Sequence, residues 1–388
     1  MRQKTVLSIA GSDPSGGAGI QADLKTMEAH DVYGMSVITA LTAQNTMKVT
    51  GIFPVPSDFI RKQLDSVCED ILPDAVKIGM LPDKASMEAV VSAIDKYRLS
   101  NIVLDPVLSS TSGTDFSGKQ AIEYMKDNLF SRCTVITPNI PEAEILSGNK
   151  IGSKEDMLST AKCLSEKYGC SVLLKGGHSS FENAGTSSDL LFFRAGQKSE
   201  FRMASYPDDT ELKTEFGKDC YPDDTEVKTG FQKDYYPDDT EVKTEFGKDC
   251  NPDDMGSKIE FGKDCNPDDT GSKTEFRKDY YPDDTEVKTE FRKGLHPCDK
   301  ESDFSKDYAF DDVEQITSDY IWLVGERVEN PNTHGTGCTL SSAIACGLAK
   351  GLSLENAVIE AKTYIGRCIN AGLEIGHGRG PLFHRVGT

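Results

Sequence analysis

Short apolar runs alternate with amphipathic stretches along most of the chain. Residues 4–10, 75–78, 102–104, 133–137 and 171–175 are apolar runs bounded by polar residues, the pattern of strands buried on both faces. Residues 35–42 read the same way, through Val37, Ile38 and Leu41. Between them, residues 20–30 have helical spacing. Phe59, Ile60, Leu64 and Val67 mark a second helical face, and Met87, Val90, Val91, Ile94 and Tyr97 a third. A further helix is expected near residues 157–168. Strands alternating with helices predict an α/β fold, a mostly parallel central sheet with helices on both faces. Ligands of such sheets bind at the carboxyl ends of strands, where Asp105, Asn139 and Lys175 fall.

A different pattern interrupts this one. Pro-Asp-Asp recurs with a fifteen-residue phase at Pro207, Pro222, Pro237, Pro252, Pro267 and Pro282, and decays at Pro297. One unit reads YPDDTEVKTEFGKDC and holds few large apolar side chains, such as Val227 and Phe231. That is too little apolar surface to offset an ordering cost of roughly 1–2 kcal/mol per residue, so the segment reads as largely disordered. The flanking arms 189–194 and 320–324 have the pattern of a β-hairpin, which makes the repeat an expanded hairpin loop. The expected organisation is one domain from residues 1–198 and 318–388, with residues 199–317 inserted.

Charge follows the same division. The chain carries 63 acidic and 43 basic residues, a net of -20, and residues 199–310 alone hold 31 of the acidic and 17 of the basic ones. No basic stripe exists to displace phosphate counterions, which argues against a nucleic-acid partner. No apolar run is long enough for a membrane span, about 18 residues. The N-terminus reads as a strand rather than a secretory signal. Eleven cysteines, with no CxxC pair, suit a reducing, cytoplasmic setting.

Three glycine-rich stretches suggest chemistry. In GSDPSGGAG, Gly11 to Gly19 lie between a strand and a helix, where backbone N–H groups can approach a ligand. The run Gly17-Ala18-Gly19-Ile20-Gln21-Ala22 fits a dinucleotide pattern, but the next strand ends Ala43-Gln44 and supplies no acidic ribose ligand. The stretch from Gly113 to Gln120 nearly matches a Walker A loop. Gln120 stands where Ser or Thr is needed at the metal, so this match is read as accidental. The third stretch, NTHGTGCTLSS, puts Gly335, Thr336 and Gly337 before an apolar helical run. Successive N–H groups there form an anion hole suited to a phosphoryl group in transfer. Cys338 falls in the first helical turn, where the helix dipole is expected to lower a thiol pKa. The bland alternative is a turn followed by a small buried residue.

The motifs GSDPSGGAGIQADLKT, VITALTAQNT, KIGML, LDPV, TPNIPEAE, LLKGGH, NPNTHGTGCTLSSAIA and GHGRGP occur in this order. Together they resemble the hydroxymethylpyrimidine/phosphomethylpyrimidine kinases of thiamine biosynthesis, in the ribokinase superfamily. The resemblance covers about residues 4–198 and 318–384 and implies a ribokinase-like fold. It implies ATP and Mg²⁺ as cofactors, a small-molecule pyrimidine substrate and a homodimer. It also implies two transfers, first to the hydroxymethyl group and then to the monophosphate. Gln44 matches the position that hydrogen-bonds the pyrimidine edge, and Gly11, Ala18, Asp23 and Met80 match the rest of that pocket. Asn139 and Glu142 match the step that organises magnesium and phosphates, with Asp105 a further candidate. Lys175 matches the basic residue at the ATP phosphates, and Cys338 stands where most relatives of the superfamily carry an aspartate base. In isolation Asp23 and Glu142 read equally as helix-start carboxylates, and Lys175 as a solvated strand end. Leu108, Ser109, Ser110 and Thr111 depart from the family's lid sequence. Pyridoxal kinase, with the same fold and overlapping motifs, is the nearest alternative. A scaffold displaying the acidic repeat to a basic partner or Ca²⁺ is an alternative of another class.

Overall fold

Leu7 and Ile9 pack toward one side of a sheet, while Val6, just before Leu7, packs toward the other. Ile102 and Leu104 flank Val103, and Val172 and Leu174 flank Leu173, in the same way. Side chains alternate across a strand, so a strand covered on both faces is apolar at most positions. That explains the unbroken apolar runs in the sequence. The structure, a computed structural model, describes residues 3–108, 118–177, 181, 186–197, 242–243, 258–261, 273–275, 313–317, 319–326, 328, 330 and 332–386.

Two compact units are present, one formed by Met1–Ser205 and Asp307–Thr388, the other by Tyr206–Lys306. In the first unit the parallel strands are β1 (Thr5–Ser12), β2 (Tyr33–Gln44), β4 (Ala75–Ile78), β5 (Ile102–Leu104), β6 (Val135–Ile136) and β7 (Ser171–Leu174). Antiparallel strands close both edges. β3 (Val49–Pro54) pairs with β2, and β8 (Thr186–Phe192) with β7. Next come β13 (Tyr320–Glu326) and β12 (Val313–Ile316). The ten-stranded order is β12-β13-β8-β7-β6-β5-β4-β1-β2-β3.

The expected hairpin is present, with Ile321 opposite Leu191 and Trp322 opposite Leu190. One boundary shifts. The sheet takes in Val313–Ile316, so the chain rejoins it before residue 318.

Helices α2 (Ser57–Cys68), α3 (Lys84–Tyr97), α5 (Ile140–Ser147) and α6 (Lys154–Tyr168) cover one face. Helices α1 (Gly19–Ala29), α7 (Thr336–Lys350) and α8 (Leu354–Asn370) cover the other. The short α4 (Lys119–Tyr124) takes in the Lys119-Gln120 end of the Walker-like stretch. Local chemistry sets the helix ends. Asp83 accepts from Ser86 N–H at 2.7 Å to start α3, and Ser153 accepts from Asp156 N–H to start α6. α6 stops at Gly169, in the left-handed region at φ 70°.

The second unit contains β9 (Val242–Lys243), β10 (Lys258–Phe261) and β11 (Lys273–Glu275), joined antiparallel in the order β11-β10-β9. The expectation of disorder across the repeat otherwise falls outside the described residues, as do Ser109–Thr111 of the lid stretch. Among the described residues no helix is long and apolar enough to cross a membrane.

Candidate active site

Three strand ends and one helix start converge. Asp105 directly follows β5, and its backbone N–H still pairs with the Ile78 carbonyl at 2.9 Å. Its carboxylate accepts from Lys175 Nζ at 2.8 Å and from Thr137 Oγ1 at 3.1 Å. Lys175 follows β7 and bridges to Asn139, which follows β6. Asn139 and Glu142 form a capping box at the start of α5: Glu142 N–H donates to Asn139 Oδ1, and Asn139 N–H to Glu142 Oε2, each at 2.9 Å. Glu142 is therefore both a helix-start carboxylate and a neighbour of the site. Burial, and then the Asp105 charge, raise its carboxyl to about 7 against the pull of Lys175. Burial disfavours charge on Lys175, but Asp105 and Glu142 more than offset it and its pKa rises.

The start of α7 faces this cluster. A Cβ built on Gly337 would lie 3.0 Å from Asp105 Oδ2 and 3.4 Å from Lys175 Nζ. Gly335, at φ 85°, caps α7, and any side chain there would run into the Gly17 carbonyl. A Cβ on Gly17 would in turn meet the His334 ring at 2.6 Å. The two glycine loops are thus interlocked, which is why neither tolerates a side chain. Gly335, Thr336 and Gly337 present the helix start to the Asp105–Lys175 pair, as an anion hole requires.

Beside it, at the ends of β1, β2 and β4, lies a second group of residues. Gly11 abuts Met80, whose sulfur would be 3.3 Å from a Cβ there. Ala18 caps α1, and its N–H donates to Asp13 Oδ2 at 2.9 Å. Gln44 ends β2 and contacts His334. The structure brings Gly11, Ala18, Gln44 and Met80 to one place. Asp23 differs from the expected pocket contact. It is fully buried and accepts from Lys77 Nζ at 2.8 Å, from Ser8 at 2.5 Å and from Ser342 at 2.8 Å. Its oxygens are taken up by a core ion pair beneath the pocket.

Cys338 also departs from expectation. The thiol is half-buried and accepts from the Gly19 N–H. Burial pushes it up to about 11; Lys77 and the Gly19 N–H pull it down, while Asp23 and Asp105 push it further up. Desolvation of the thiolate outweighs the helix dipole, so the thiol is not activated toward neutral pH.

Three residues of the site went unassigned in the sequence: Asp13, Lys77 and His334. Asp13 accepts from the N–H groups of Ser15, Gly17 and Ala18, and lies 3.0 Å from His334 Nε2. Burial raises its pKa, but His334 and Ser15 outweigh that and hold it at about 2. A carboxyl held below its ordinary 3.8 contributes stability above that value and loses it as pH falls through about 2. Urea melts between pH 5 and 2 are therefore expected to show a loss of stability that Asp13→Asn does not share. Parallel losses in both proteins would contradict this.

Among the described residues no cluster of three His, Cys, Asp or Glu side chains forms a self-contained metal site. Asp105 and Glu142 nonetheless offer hard carboxylate oxygens beside Lys175. That fits Mg²⁺, which takes one or two carboxylates and completes its shell with phosphate and water.

A mostly parallel sheet, with a glycine-capped helix start aimed at an Asp–Lys pair beside the Gly11, Ala18, Gln44 and Met80 group, defines a ribokinase-like small-molecule kinase. Bacillus subtilis pyridoxal kinase in its ADP complex shares the fold, with a TM-score of 0.60 at 24% identity over 99% of this chain and 98% of that one. The family profile of phosphomethylpyrimidine kinase matches residues 13–211 and 288–383, so the chain belongs to that family and is a phosphotransferase. Its relatives include the hydroxymethylpyrimidine/phosphomethylpyrimidine kinase of Bacillus subtilis, 45% identical over 48% of this chain and 68% of that protein. The protein of the same name from Rhizobium meliloti is 30% identical over 97% of this chain and 96% of its own.

Proposed function

We propose that the protein phosphorylates 4-amino-5-hydroxymethyl-2-methylpyrimidine with ATP and then phosphorylates the monophosphate, in thiamine biosynthesis. The observation that carries this is the pairing of the Gly335–Gly337 helix start, facing Asp105 and Lys175, with the adjoining Gln44 cleft. The hydroxymethyl oxygen attacks the γ-phosphorus, the bond to the bridging oxygen breaks and ADP leaves. The hydroxyl proton passes to a base, for which Cys338 is the candidate. Lys175 and the α7 N–H groups hold the charge that develops on the transferring group. Asp105 and Glu142, with Asn139 positioning Glu142, would hold Mg²⁺, which neutralises phosphate charge. Gly11, Ala18 and Met80 shape the pyrimidine cleft, and Gln44 reads the ring edge.

The kinase domain in this reading comprises the segments on either side of residues 199–317, with the sheet-forming strand Val313–Ile316 added. Exposed Leu41 and Phe53, partners on the outer β2–β3 edge, support a homodimer through that edge. The seven described cysteines are free thiols, in keeping with a reducing, cytoplasmic setting.

Incubating the purified protein with ATP and either the aminopyrimidine or pyridoxal tests the substrate. Turnover of pyridoxal alone would overturn it. Gln44→Ala is expected to raise the pyrimidine KM about ten- to hundredfold, the cost of an unpaired polar edge. The KM for ATP should stay put, and a rise confined to ATP would place Gln44 at the wrong substrate.

A further inference from the structure

The Gln44 amide touches two groups, and the hydrogen-bonding role of one of them, His334, is settled by its other partner. Asp13 is ionised at neutral pH and accepts from backbone N–H groups on both oxygens. A carboxylate only accepts, so His334 Nε2, 3.0 Å away, carries a proton and donates it. This holds whether the ring is neutral or charged. The same Nε2 lies 3.1 Å from Gln44 Nε2, the NH₂ end of the amide. That placement sets donor against donor, and a half-turn of the amide exchanges its two ends, so the end that belongs opposite His334 is the carbonyl Oε1.

The second contact is compatible with that orientation. Thr42 has one hydroxyl proton and donates it to the Ser12 carbonyl at 2.9 Å. Toward the other end of the Gln44 amide, where Oε1 stands 3.3 Å away, the hydroxyl then has only lone pairs left, which suits the NH₂ of the turned amide. The two contacts differ in strength of command. A threonine hydroxyl can rotate and donate instead, whereas the His334 N–H is pinned by Asp13.

The closing GHGRGP motif fixes the backbone on both sides. Gly380 O accepts from His334 N–H at 3.2 Å, and Gly380 N–H donates to Asn332 Oδ1 at 2.9 Å. Arg379 N–H donates to the Thr46 carbonyl at 3.1 Å, two residues past Gln44.

We propose that His334 is a positioning residue which fixes the direction of the Gln44 amide, and so sets a preference for a 4-amino over a 4-oxo pyrimidine. This rests on the pyrimidine reading above. Gln44 keeps a second N–H and a second lone pair, side by side in a fixed order. An aminopyrimidine edge presents a donor and then an acceptor; a 4-oxo ring with a protonated neighbouring nitrogen presents the reverse. An amide free to turn over reads both.

The test compares wild type, His334→Asn and His334→Gln on the 4-amino substrate and its 4-oxo counterpart. Glutamine places an N–H between Asp13 and Gln44 and is expected to keep the discrimination. Asparagine is too short to reach Gln44. Its ratio of kcat/KM for amino over oxo is expected to fall about tenfold or more, with the KM for ATP unchanged. Equal ratios in the two variants overturn the proposal, and so does an unchanged ratio in His334→Asn. A wild type that phosphorylates neither ring fails the substrate reading instead, and takes the preference with it. One measurement needs no variant and no substrate: ¹⁵N NMR of the wild-type His334 ring at neutral pH should show a protonated Nε2. An unprotonated Nε2 overturns the proposal outright.

Discussion

Lys77→Met is expected to lower the folding stability of the kinase unit by about 3–5 kcal/mol, the usual cost of removing one partner of a buried ion pair. Lys77 and Asp23 are both fully buried, and Nζ lies 2.8 Å from each carboxylate oxygen. Removing the ammonium strands a carboxylate left with the Ser8 and Ser342 hydroxyls among the described residues. Adding Asp23→Asn should recover part of the loss, because the uncompensated charge is gone. Urea melts of the two variants against wild type measure both effects. A Lys77→Met protein as stable as wild type would mean that Asp23 bears no uncompensated charge once the ammonium is gone. A double variant no better than the single one would put the loss in packing rather than charge. The pH dependence has a definite sign. Asp23 and Cys338 raise the Lys77 pKa despite its burial. The stability it contributes is therefore present below the free-lysine value and is lost only as pH rises far into the alkaline range.

How far the fold and site were legible depends on how local the determining physics is. Ala75–Ile78 and Ile102–Leu104 match expectation to the residue, because strands buried on both faces leave continuous apolar runs with sharp polar edges. Val49–Pro54 gave no such signal. It is an edge strand with mostly exposed side chains, and its VTGIFP sequence is broken by glycine and ends in proline. Helix α8 was missed although Ser353 caps it and Leu354, Ala357, Val358, Ala361 and Ile365 bury one face, so its signal was available in the spacing. The Gln44, Lys175 and Gly335–Gly337 positions were legible because ordered motifs named them. Their supports were not. Asp13 and His334 are 321 positions apart, and Lys77 and Asp23 are 54 apart. A lysine inside an apolar strand tells nothing about which distant carboxylate will neutralise it. The Cys338 thiol was misjudged for a related reason. The helix dipole can be inferred from local sequence, whereas burial depends on everything packed around the helix start.

Cys338→Ala is expected to separate the two phosphoryl transfers, and the raised thiol pKa dictates how the difference varies with pH. In the first transfer the nucleophile is a neutral alcohol that must lose a proton. In the second it is a phosphate oxygen already anionic near neutral pH, with no proton to remove. A base therefore serves the first step alone, a service typically worth ~10²–10⁴-fold. With the thiol pushed up to about 11, only about one in 10⁴ molecules carries a thiolate at pH 7. The loss at pH 7 should thus fall near the lower end of that range. It should grow about tenfold per pH unit toward the thiol pKa, because the wild-type first step rises with thiolate while the alanine variant stays flat. The second transfer should show neither the large loss nor the slope. The Gly335–Gly337 backbone survives the substitution, so its anion hole should still serve both steps. Both rates should be followed on one preparation between pH 6 and 9.5. Equal losses in both steps, with parallel pH profiles, would assign Cys338 to shaping the anion hole. A wild-type first step that levels off near pH 7 would show that bound substrates lower the thiol pKa by several units, against the burial seen here. No loss in either step would remove Cys338 from the chemistry and leave the alcohol's proton to another acceptor, for which Asp105, facing the start of the same helix, is a candidate carboxylate.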